Sequence, residues 1–393
     1  MGGGSVRLGI RSEAGPTPVR HHARPKRRPT KEAVTSGKPA RFGAHRVRRS
    51  PLWARLCLTF GLVIAVGSGG TLLAGQLILN HVSDAIGSDS LLPAGSGNQP
   101  RSEVTGPLNI LLAGLDYRAG DADSETNQRA DSVMWVHIPR EHDRAYIVSL
   151  PRDLVVDIPA FPAAKFQGEK GGRLNASFAA GMQNKMGRPG GMQLLTKTVE
   201  QLTGVKFDMA GVIDWYGFTG ITHELGGVTM CLDKGFKSTQ PGFKNFTFDA
   251  GCNHYDEHKA LALVRQRYDV EGGDYGRQKL QQQFIKQILK QATSKDVLSN
   301  PLKLNAIIKS VGASLKIDFG AYDFADLLWA LKGITPDNLL TMRIPSSTIG
   351  NENNYGGEAL NPQLGPEMFR AMADERIELF LASHPELASR LPA

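Results

Sequence analysis

The sequence predicts an α/β fold, on three observations. From residue 107 onward, short apolar runs of buried-strand length alternate with segments whose apolar residues recur at helical spacing. No stretch of linker composition between 290 and 300 divides that region, so one domain over residues 107–393 is the economical reading. Ahead of it, residues 56–79 carry no charged side chain, which separates a membrane-spanning length of chain from the globular part.

Residues 1–55 hold 14 Lys/Arg and 2 Asp/Glu, a net of +12, whereas the rest holds 32 basic against 36 acidic residues, a net of −4. The basicity of the chain is thus a property of its tail, and bulk charge excludes a polyanion-binding globular domain. The tail is rich in Pro, Gly, Arg and Lys, cannot bury enough apolar surface to fold, and is expected to be disordered. Its charge suits anionic membrane lipid. Apart from Phe42, its basic run has no stacking aromatic until Trp53 at the membrane edge, so no nucleic acid is expected as a partner. Residues 56–79 would reach roughly 36 Å as a helix, enough to cross a hydrocarbon core of about 30 Å with some tilt. A signal peptide, the alternative, has a shorter apolar region and no such long tail. Basic residues crowd before the span and only Asp84 follows soon after it. That asymmetry predicts a single-pass protein of the cell membrane with a cytoplasmic N-terminus and an extracytoplasmic domain. Residues 80–106, rich in Ser, Gly, Pro and Asn, read as a linker.

Within the domain, 108–115 is a continuous apolar run ending in Gly114-Leu115-Asp116, as a buried strand would be. Further strands are expected at 132–138 and 144–150, joined by the turn Pro139-Arg140-Glu141-His142-Asp143. Leu194, Leu195, Val199 and Leu202 follow helical spacing and stop at Gly204, and 207–213 and 227–232 read as strands. A helix is expected over 258–264 with Asp256 as its cap. Another is expected over 275–292, where Phe284, Ile285, Ile288 and Leu289 form an apolar stripe that Arg277 and Gln281 continue. Burying those two polar side chains unpaired would be costly, so a ligand is expected to satisfy them. Beyond residue 300 come helices near 302–315 and 322–331, a strand at 339–344 and a final helix ending near Ser383. Cys57 lies in the span, while Cys231 and Cys252 bracket a segment, 234–251, that reads as a long loop or hairpin. Bridging them in an oxidising compartment would stabilise by roughly 3 kcal/mol; two unlinked buried thiols are the alternative.

The chemistry is concentrated where Arg265, Arg267, Arg277 and Gln281 flank a turn containing Gly272, Gly273 and Gly276 that opens a helix. Guanidinium forks match phosphate oxygens, and a helix N-terminus adds partial positive charge. Other polar groups fall at strand ends, where this fold class puts function. Asp116 and Arg118 follow the first strand, Arg129 and Asp131 precede the second, Arg152 and Asp153 follow the third, and Asn175 opens or lies within a short helix. Singly, each has a structural explanation as a turn aspartate, a solvated arginine or a capping asparagine. Together they offer two carboxylates and up to six arginines to one cleft, and carboxylates with phosphate oxygens are the usual cage for Mg²⁺. Gly-x-Ser-x-Gly and P-loop patterns are absent, and His254 and His258 lack the glutamate of a zincin helix.

The runs 109–116 (Asn-Ile-Leu-Leu-Ala-Gly-Leu-Asp), 129–132 (Arg-Ala-Asp-Ser), 149–153 (Ser-Leu-Pro-Arg-Asp), 225–228 (Leu-Gly-Gly-Val), 265–267 (Arg-Gln-Arg) and 273–277 (Gly-Asp-Tyr-Gly-Arg), in this order, resemble the LytR–CpsA–Psr family of cell-wall glycopolymer transferases. The resemblance has its motif core in 107–292. It implies an α/β/α sandwich with a central mixed β-sheet, carried on a membrane anchor. It further implies a phosphotransferase that moves a glycopolymer from a polyprenyl (pyro)phosphate carrier onto peptidoglycan, forming a phosphodiester and releasing polyprenyl phosphate. On this resemblance Arg129, Arg152, Arg265 and Arg267 are catalytic, and Arg118, Arg277, Gln281, Asn175 and Asp274 bind the pyrophosphate. Asp116 and Asp131 hold Mg²⁺ (or Mn²⁺), and Asp153 and Asp274 are the candidates for the base. The lipid tail is expected in a groove between sheet and helices. One departure is Leu280, where the family commonly has arginine; it bears on phosphate grip or partner contact. Two rival readings are a polyprenyl-pyrophosphate hydrolase, with water as acceptor, and an envelope-associated regulatory or binding protein.

Overall fold

The computed structural model describes residues 90–94, 103–116, 128–294, 306–307, 309–310, 315–351 and 354–389, all within one compact unit, Ala65–Ala393. The expected tail, the expected span at 56–79 and most of the helix expected near 302–315 lie outside the described residues. Among the described residues no helix is long and apolar enough to cross a membrane.

The strands are, in chain order, β1 (Leu108–Leu115), β2 (Ala130–Ile138), β3 (Ala145–Leu150), β4 (Val155–Ile158), β5 (Glu169–Arg173), β6 (Met209–Asp214), β7 (Val228–Leu232), β8 (Phe236–Lys237), β9 (Thr247–Phe248), β10 (Gly251–Tyr255), β11 (Leu315–Asp318), β12 (Leu339–Arg343), β13 (Ser346–Asn351) and β14 (Asn354–Leu360). The helices are α1 (Leu174–Gly181), α2 (Gly187–Thr203), α3 (Trp215–Glu224), α4 (Glu257–Val264), α5 (Asp274–Ala292), α6 (Phe324–Ala330), α7 (Leu364–Ala373) and α8 (Ile377–Ser383). The central sheet has the order β11-β6-β1-β2-β3-β12. It is mixed: β1 runs parallel to β6 and β3 to β12, while β1–β2, β2–β3 and β6–β11 are antiparallel.

Strand alternation sorts the core into two layers. Leu111, Ala113 and Leu115 of β1, with Val133 and Trp135 of β2, pack under α1, α2, α7 and α8 through Phe178, Leu195, Phe369 and Phe380. Leu108, Met134, Ile138 and Ile147 face the other way, onto Ile285 and Leu289 of α5 and Leu327 of α6. This is the α/β/α arrangement that the resemblance implied. A third, smaller cluster joins Phe218, Val228, Tyr255, Leu263 and Phe284 beside the sheet. Helix α2 ends at Gly204 in the left-handed conformation, and Asp256 caps α4 by accepting from the Lys259 amide, both as the sequence indicates.

Three expectations are corrected. Leu91 and Leu92, placed in the linker, are buried in the main core, and both amides donate to Asp318 Oδ2, at 2.8 and 3.0 Å. Burying a leucine is worth about 1.5–3 kcal/mol, enough to dock this short stretch despite its Ser/Gly surroundings. Leu315, expected in a helix, opens the edge strand β11. The region 346–360, given no element from the sequence, is the β13–β14 hairpin; its burial pattern gives no clean alternation to read.

Cys231 and Cys252 are bonded, and they are directly paired residues of antiparallel β7 and β10. The bridge closes a segment with a sequence separation of 21, so the Cys231→Ser/Cys252→Ser double variant is expected to lose about 3 kcal/mol in urea unfolding.

His137 of β2 is buried; its Nδ1 is 2.9 Å from Asn109 Oδ1, an atom that only accepts, while Nε2 has no partner. The ring is therefore neutral with the proton on Nδ1. Burial, against a weaker opposing pull from Glu375, lowers its pKa from 6.5 to about 4. Between these two values the unfolded chain binds a proton that the native protein refuses. Stability accordingly falls as pH drops through that window, by about 3 kcal/mol from this group. Urea titrations of wild type and His137→Gln at pH 7 and pH 4.5 should show a smaller acid-induced loss in the variant.

Candidate active site

A bulge, a turn and a helix start bring the charged groups together. Between β1 and β2 the register slips: Gly114 pairs with Ser132 but Leu115 with Ala130, so Asp131 is an extra residue. Such a bulge re-aims a side chain, and Asp131 lines a cleft of about 450 Å³. The same slip breaks the alternation that would have placed Arg129 beside it. Arg129 is exposed and is not part of the cleft lining, contrary to expectation. Arg152 stands in the turn after β3, which is closed by the Leu154 amide on Pro151 O (3.0 Å) and held by the Asn175 amide on Arg152 O (2.9 Å). Asn175 thus supports the turn with its backbone, and its side chain is absent from the cleft lining.

The chain from α4 to α5 makes the opposite wall. Gly272 and Gly273 have φ of +83° and +58°, which favours glycine. A Cβ on Gly276 would lie 2.3 Å from Glu271 O, so no larger residue fits this tight helix start. One turn into α5, the buried Arg277 reaches back to donate to Asp131 O at 3.2 Å.

The cleft is lined by Arg152, Arg265, Arg267 and Arg277 against Asp116 and Asp131, a formal excess of two positive charges. Arg152 Nη1 is 2.9 Å from Asp131 and its Nε is 3.2 Å from Asp153. Burial alone would lower the Arg152 pKa, but Asp131, Asp153 and Asp274 outweigh it and raise the value. Arg265 pairs with Asp116 at 3.0 Å and lies over the Phe243 ring. Arg277 pairs with Asp274 at 2.7 Å, yet its Nε has no hydrogen-bond partner among the described residues. Burial lowers its pKa, with Arg152 and Arg267 pushing the same way and the two aspartates opposing. Arg267 lies over Tyr268 and has no ion-pair partner among the described residues. Four guanidiniums around two carboxylates can take up a dianion that displaces or bridges those pairs.

Other predicted residues divide. Gln281 lines the cleft, but its carboxamide is satisfied by protein: Oε1 accepts from Ser132 Oγ (2.9 Å) and Nε2 donates to Val264 O (3.3 Å). It therefore ties β2, α4 and α5 together without a ligand, which the sequence pattern had not foreseen. Asp274 holds Arg277 and Gln278, and Asp153 is held by Arg152 and Arg173; neither carboxylate lines the cleft. Arg118 lies outside the described residues. Leu280 packs in the cluster with Phe218 and Phe284 and lines a different cavity, of about 640 Å³, on the other side of α5. The departure from the family pattern thus sits away from the charged cleft. The sequence reading missed Gln240, Phe243 and Tyr268, which complete the lining. Gln240 and Phe243 lie within the disulfide-closed segment, where the Pro241-Gly242 turn was the one visible signal.

An apolar channel of about 130 Å³ adjoins the cleft, bounded by Leu112, Leu115, Ile213, Phe218, Phe284 and Ile285, and Gln281 lines both. It runs between the sheet and α5, where the sequence led us to expect a groove. As for a metal, no group of three His, Cys, Asp or Glu that could hold one occurs among the described residues. Asp116 and Asp131 nevertheless line one cleft, and Mg²⁺ typically takes one or two carboxylates with phosphate oxygens and water. The residues present fit an ion bound together with a phosphate ligand.

The chain is 28% identical to the cell wall biosynthesis protein LcpA of Corynebacterium glutamicum, over 75% of this chain and 60% of that protein. It is 26% identical to the polyisoprenyl-teichoic acid–peptidoglycan teichoic acid transferase TagV of Bacillus subtilis, over 77% and 73%. The chain spans under two thirds of the length of the corynebacterial relatives LcpA and LcpB, 60% and 63%. Among solved structures, gbs0355 of Streptococcus agalactiae superposes with a TM-score of 0.57 at 22% identity, covering 69% of this chain and 88% of that one. Bacillus subtilis TagV superposes at 0.52 and 20%, covering 70% and 98%. These likenesses establish the fold. The profile of the LytR_cpsA_psr family matches residues 80–365, and the chain belongs to that family.

Proposed function

We propose that this chain is a phosphotransferase that moves a glycopolymer from a polyprenyl diphosphate carrier onto peptidoglycan. The observation that carries the reading is the junction at Gln281, where a cleft with an excess of two positive charges meets an apolar channel. That pairing matches a ligand with a dianionic head and a hydrocarbon tail. Relatives named as teichoic acid–peptidoglycan transferases support the reaction class.

In the reaction, a peptidoglycan hydroxyl oxygen attacks the phosphorus that carries the glycopolymer. The bridging P–O bond breaks, polyprenyl phosphate leaves, and the hydroxyl proton passes to a base. Arg277 and Arg152 are fixed by their carboxylate partners and so offer donors that need no rearrangement as charge builds on the phosphoryl oxygens. Arg267, without such a partner, is the guanidinium most available to the leaving phosphate. Among the described residues the only carboxylates in the cleft lining are Asp116 and Asp131, and the candidates for the base, Asp153 and Asp274, lie just outside that lining. Mg²⁺ (or Mn²⁺) held by Asp116 and Asp131 would offset negative charge on the diphosphate. The disulfide supports a position in an oxidising compartment outside the membrane.

Arg267→Ala should lower transfer by on the order of 10²–10³-fold with little change in melting temperature, since Arg267 makes no ion pair among the described residues. Arg152→Ala should lower transfer similarly but also destabilise by roughly 3 kcal/mol, because it strands Asp131 and Asp153. Normal transfer by folded Arg267→Ala would sink the assignment. Purified full-length protein given a lipid-linked glycopolymer should release polyprenyl phosphate at full rate only when peptidoglycan is added; equal release without it would identify a hydrolase. Chelation should stop transfer, and Mg²⁺ should restore it.

A further inference from the structure

We propose that Gln240, Phe243 and Tyr268 form the subsite for the first sugar of the donor, the one attached to the diphosphate. The inference rests on the reading above and assigns the part of the cleft that it leaves unused. If the tail occupies the apolar channel, Gln281 marks the point where hydrocarbon gives way to diphosphate. The four arginines and two aspartates then surround the phosphates, and what remains of the lining is the 240–243 turn and Tyr268. None of these residues lines the apolar channel.

Their chemistry suits a sugar. Tyr268 is 65% exposed, so its ring is open to a ligand in the cleft it lines. One side of its ring carries the Arg267 guanidinium, 5.8 Å from the centroid. A pyranose presents an apolar C–H face to such a ring and polar edges to neighbouring donors. Gln240 is buried, and its Oε1 accepts from the Arg267 amide at 3.1 Å, which leaves the Nε2 hydrogens for a ligand hydroxyl or acetamide oxygen.

The wall is also built to stay in place. Thr239 donates from its amide (2.6 Å) and its hydroxyl (2.8 Å) to Asp269, and Ser238 Oγ donates to Gln266 Oε1 (3.0 Å). The turn closes with the Phe243 amide on Gln240 O (3.0 Å), and Phe243 supports Arg265. The whole excursion is enclosed by the Cys231–Cys252 bridge. The disulfide-closed segment therefore connects the sugar-reading groups rigidly to the arginines that hold the phosphates, so sugar identity and phosphate position are read together.

Binding by the full-length protein in detergent micelles tests this with two probes, geranylgeranyl diphosphate and the same lipid diphosphate esterified to N-acetylglucosamine. Tyr268→Ala should weaken the sugar-bearing probe about tenfold more than the sugar-free probe, with Tyr268→Phe restoring most of the difference. Gln240→Ala should weaken the sugar-bearing probe more than the sugar-free one. Equal loss of both probes, or loss of neither, overturns the proposal. So does a Tyr268→Ala protein that binds the sugar-bearing donor normally yet transfers poorly, which would assign the wall to the acceptor. Arg152→Ala is the control on the reading underneath. If it still transfers, the transferase itself fails; if it is inactive while Tyr268→Ala binds both probes alike, only the sugar subsite fails.

Discussion

Two guanidiniums, Arg152 and Arg277, lie close enough beneath the cleft that each disfavours the other's charge, and both are largely out of water. Arginine does not escape such a conflict by losing its proton. Each must be matched by carboxylates and by oriented carbonyls, and the surrounding fold is arranged to supply them. Asp131 comes from the bulge in β2, Asp153 from the turn after β3, and Asp274 from the first turn of α5. Removing one member of such a set costs about 3–5 kcal/mol because it leaves an uncompensated buried charge. The start of β2, the 151–153 turn and the start of α5 are thus held in mutual register by electrostatics that none satisfies alone.

Neutral side chains carry the same register further. Gln282, buried on the sheet-facing side of α5, donates to Ser149 Oγ and to Met342 O, both at 2.8 Å, and so fixes the helix to β3 and β12. Glu358 of β14 accepts from Tyr275 Oη at 2.5 Å and from Thr348 Oγ1 at 3.0 Å, while its amide donates to Asp153 O at 3.0 Å. The C-terminal hairpin thereby reaches the helix start and the arginine turn at once. Burial raises the Tyr275 pKa to about 12, with the Glu358 hydrogen bond adding to it, so the phenol remains a donor across the physiological range. A hairpin far from the motifs in sequence is therefore part of what keeps Arg152 and Arg277 in position.

Much of this was legible in the chain. A continuous apolar run announced β1, Gly204 and Asp256 announced helix ends, and the clustered arginines were announced by a strand end for Arg152 and by the Gly-rich turn opening α5 for Arg265, Arg267 and Arg277. What escaped depended on long-range pairing. The bulge that aims Asp131 inward and leaves Arg129 exposed is a property of two strands together and has no local signature. Gln281 looked like a polar residue awaiting a ligand because its partners, Ser132 and Val264, are distant in sequence. Leu91 and Leu92 were hidden by their neighbours' linker-like composition, since two leucines are too few to show a period. Tyr268 and Gln240 become visible as site residues only once the disulfide-closed segment is folded against the 265–269 stretch.

The charge arithmetic of the cleft explains why its carboxylates are needed as well as its arginines. Four guanidiniums with no counter-charge would repel one another in the empty protein, and three of them are paired with aspartates: Arg152 with Asp131 and Asp153, Arg265 with Asp116, and Arg277 with Asp274. Of these carboxylates only Asp116 and Asp131 line the cleft itself, so its walls keep a formal excess of positive charge toward a diphosphate. They also hold Arg152 and Arg265 in ion pairs before any ligand arrives, so binding need not immobilise those side chains. Arg267 and the partnerless Nε of Arg277 are the donors not yet committed, and they lie on the wall opposite β1 and β2. A diphosphate entering from the Gln281 junction would therefore meet fixed charge on the strand side and uncommitted donors on the helix side. That asymmetry gives the two phosphates distinct surroundings, which is what cleavage of one bridging P–O bond in a defined direction requires.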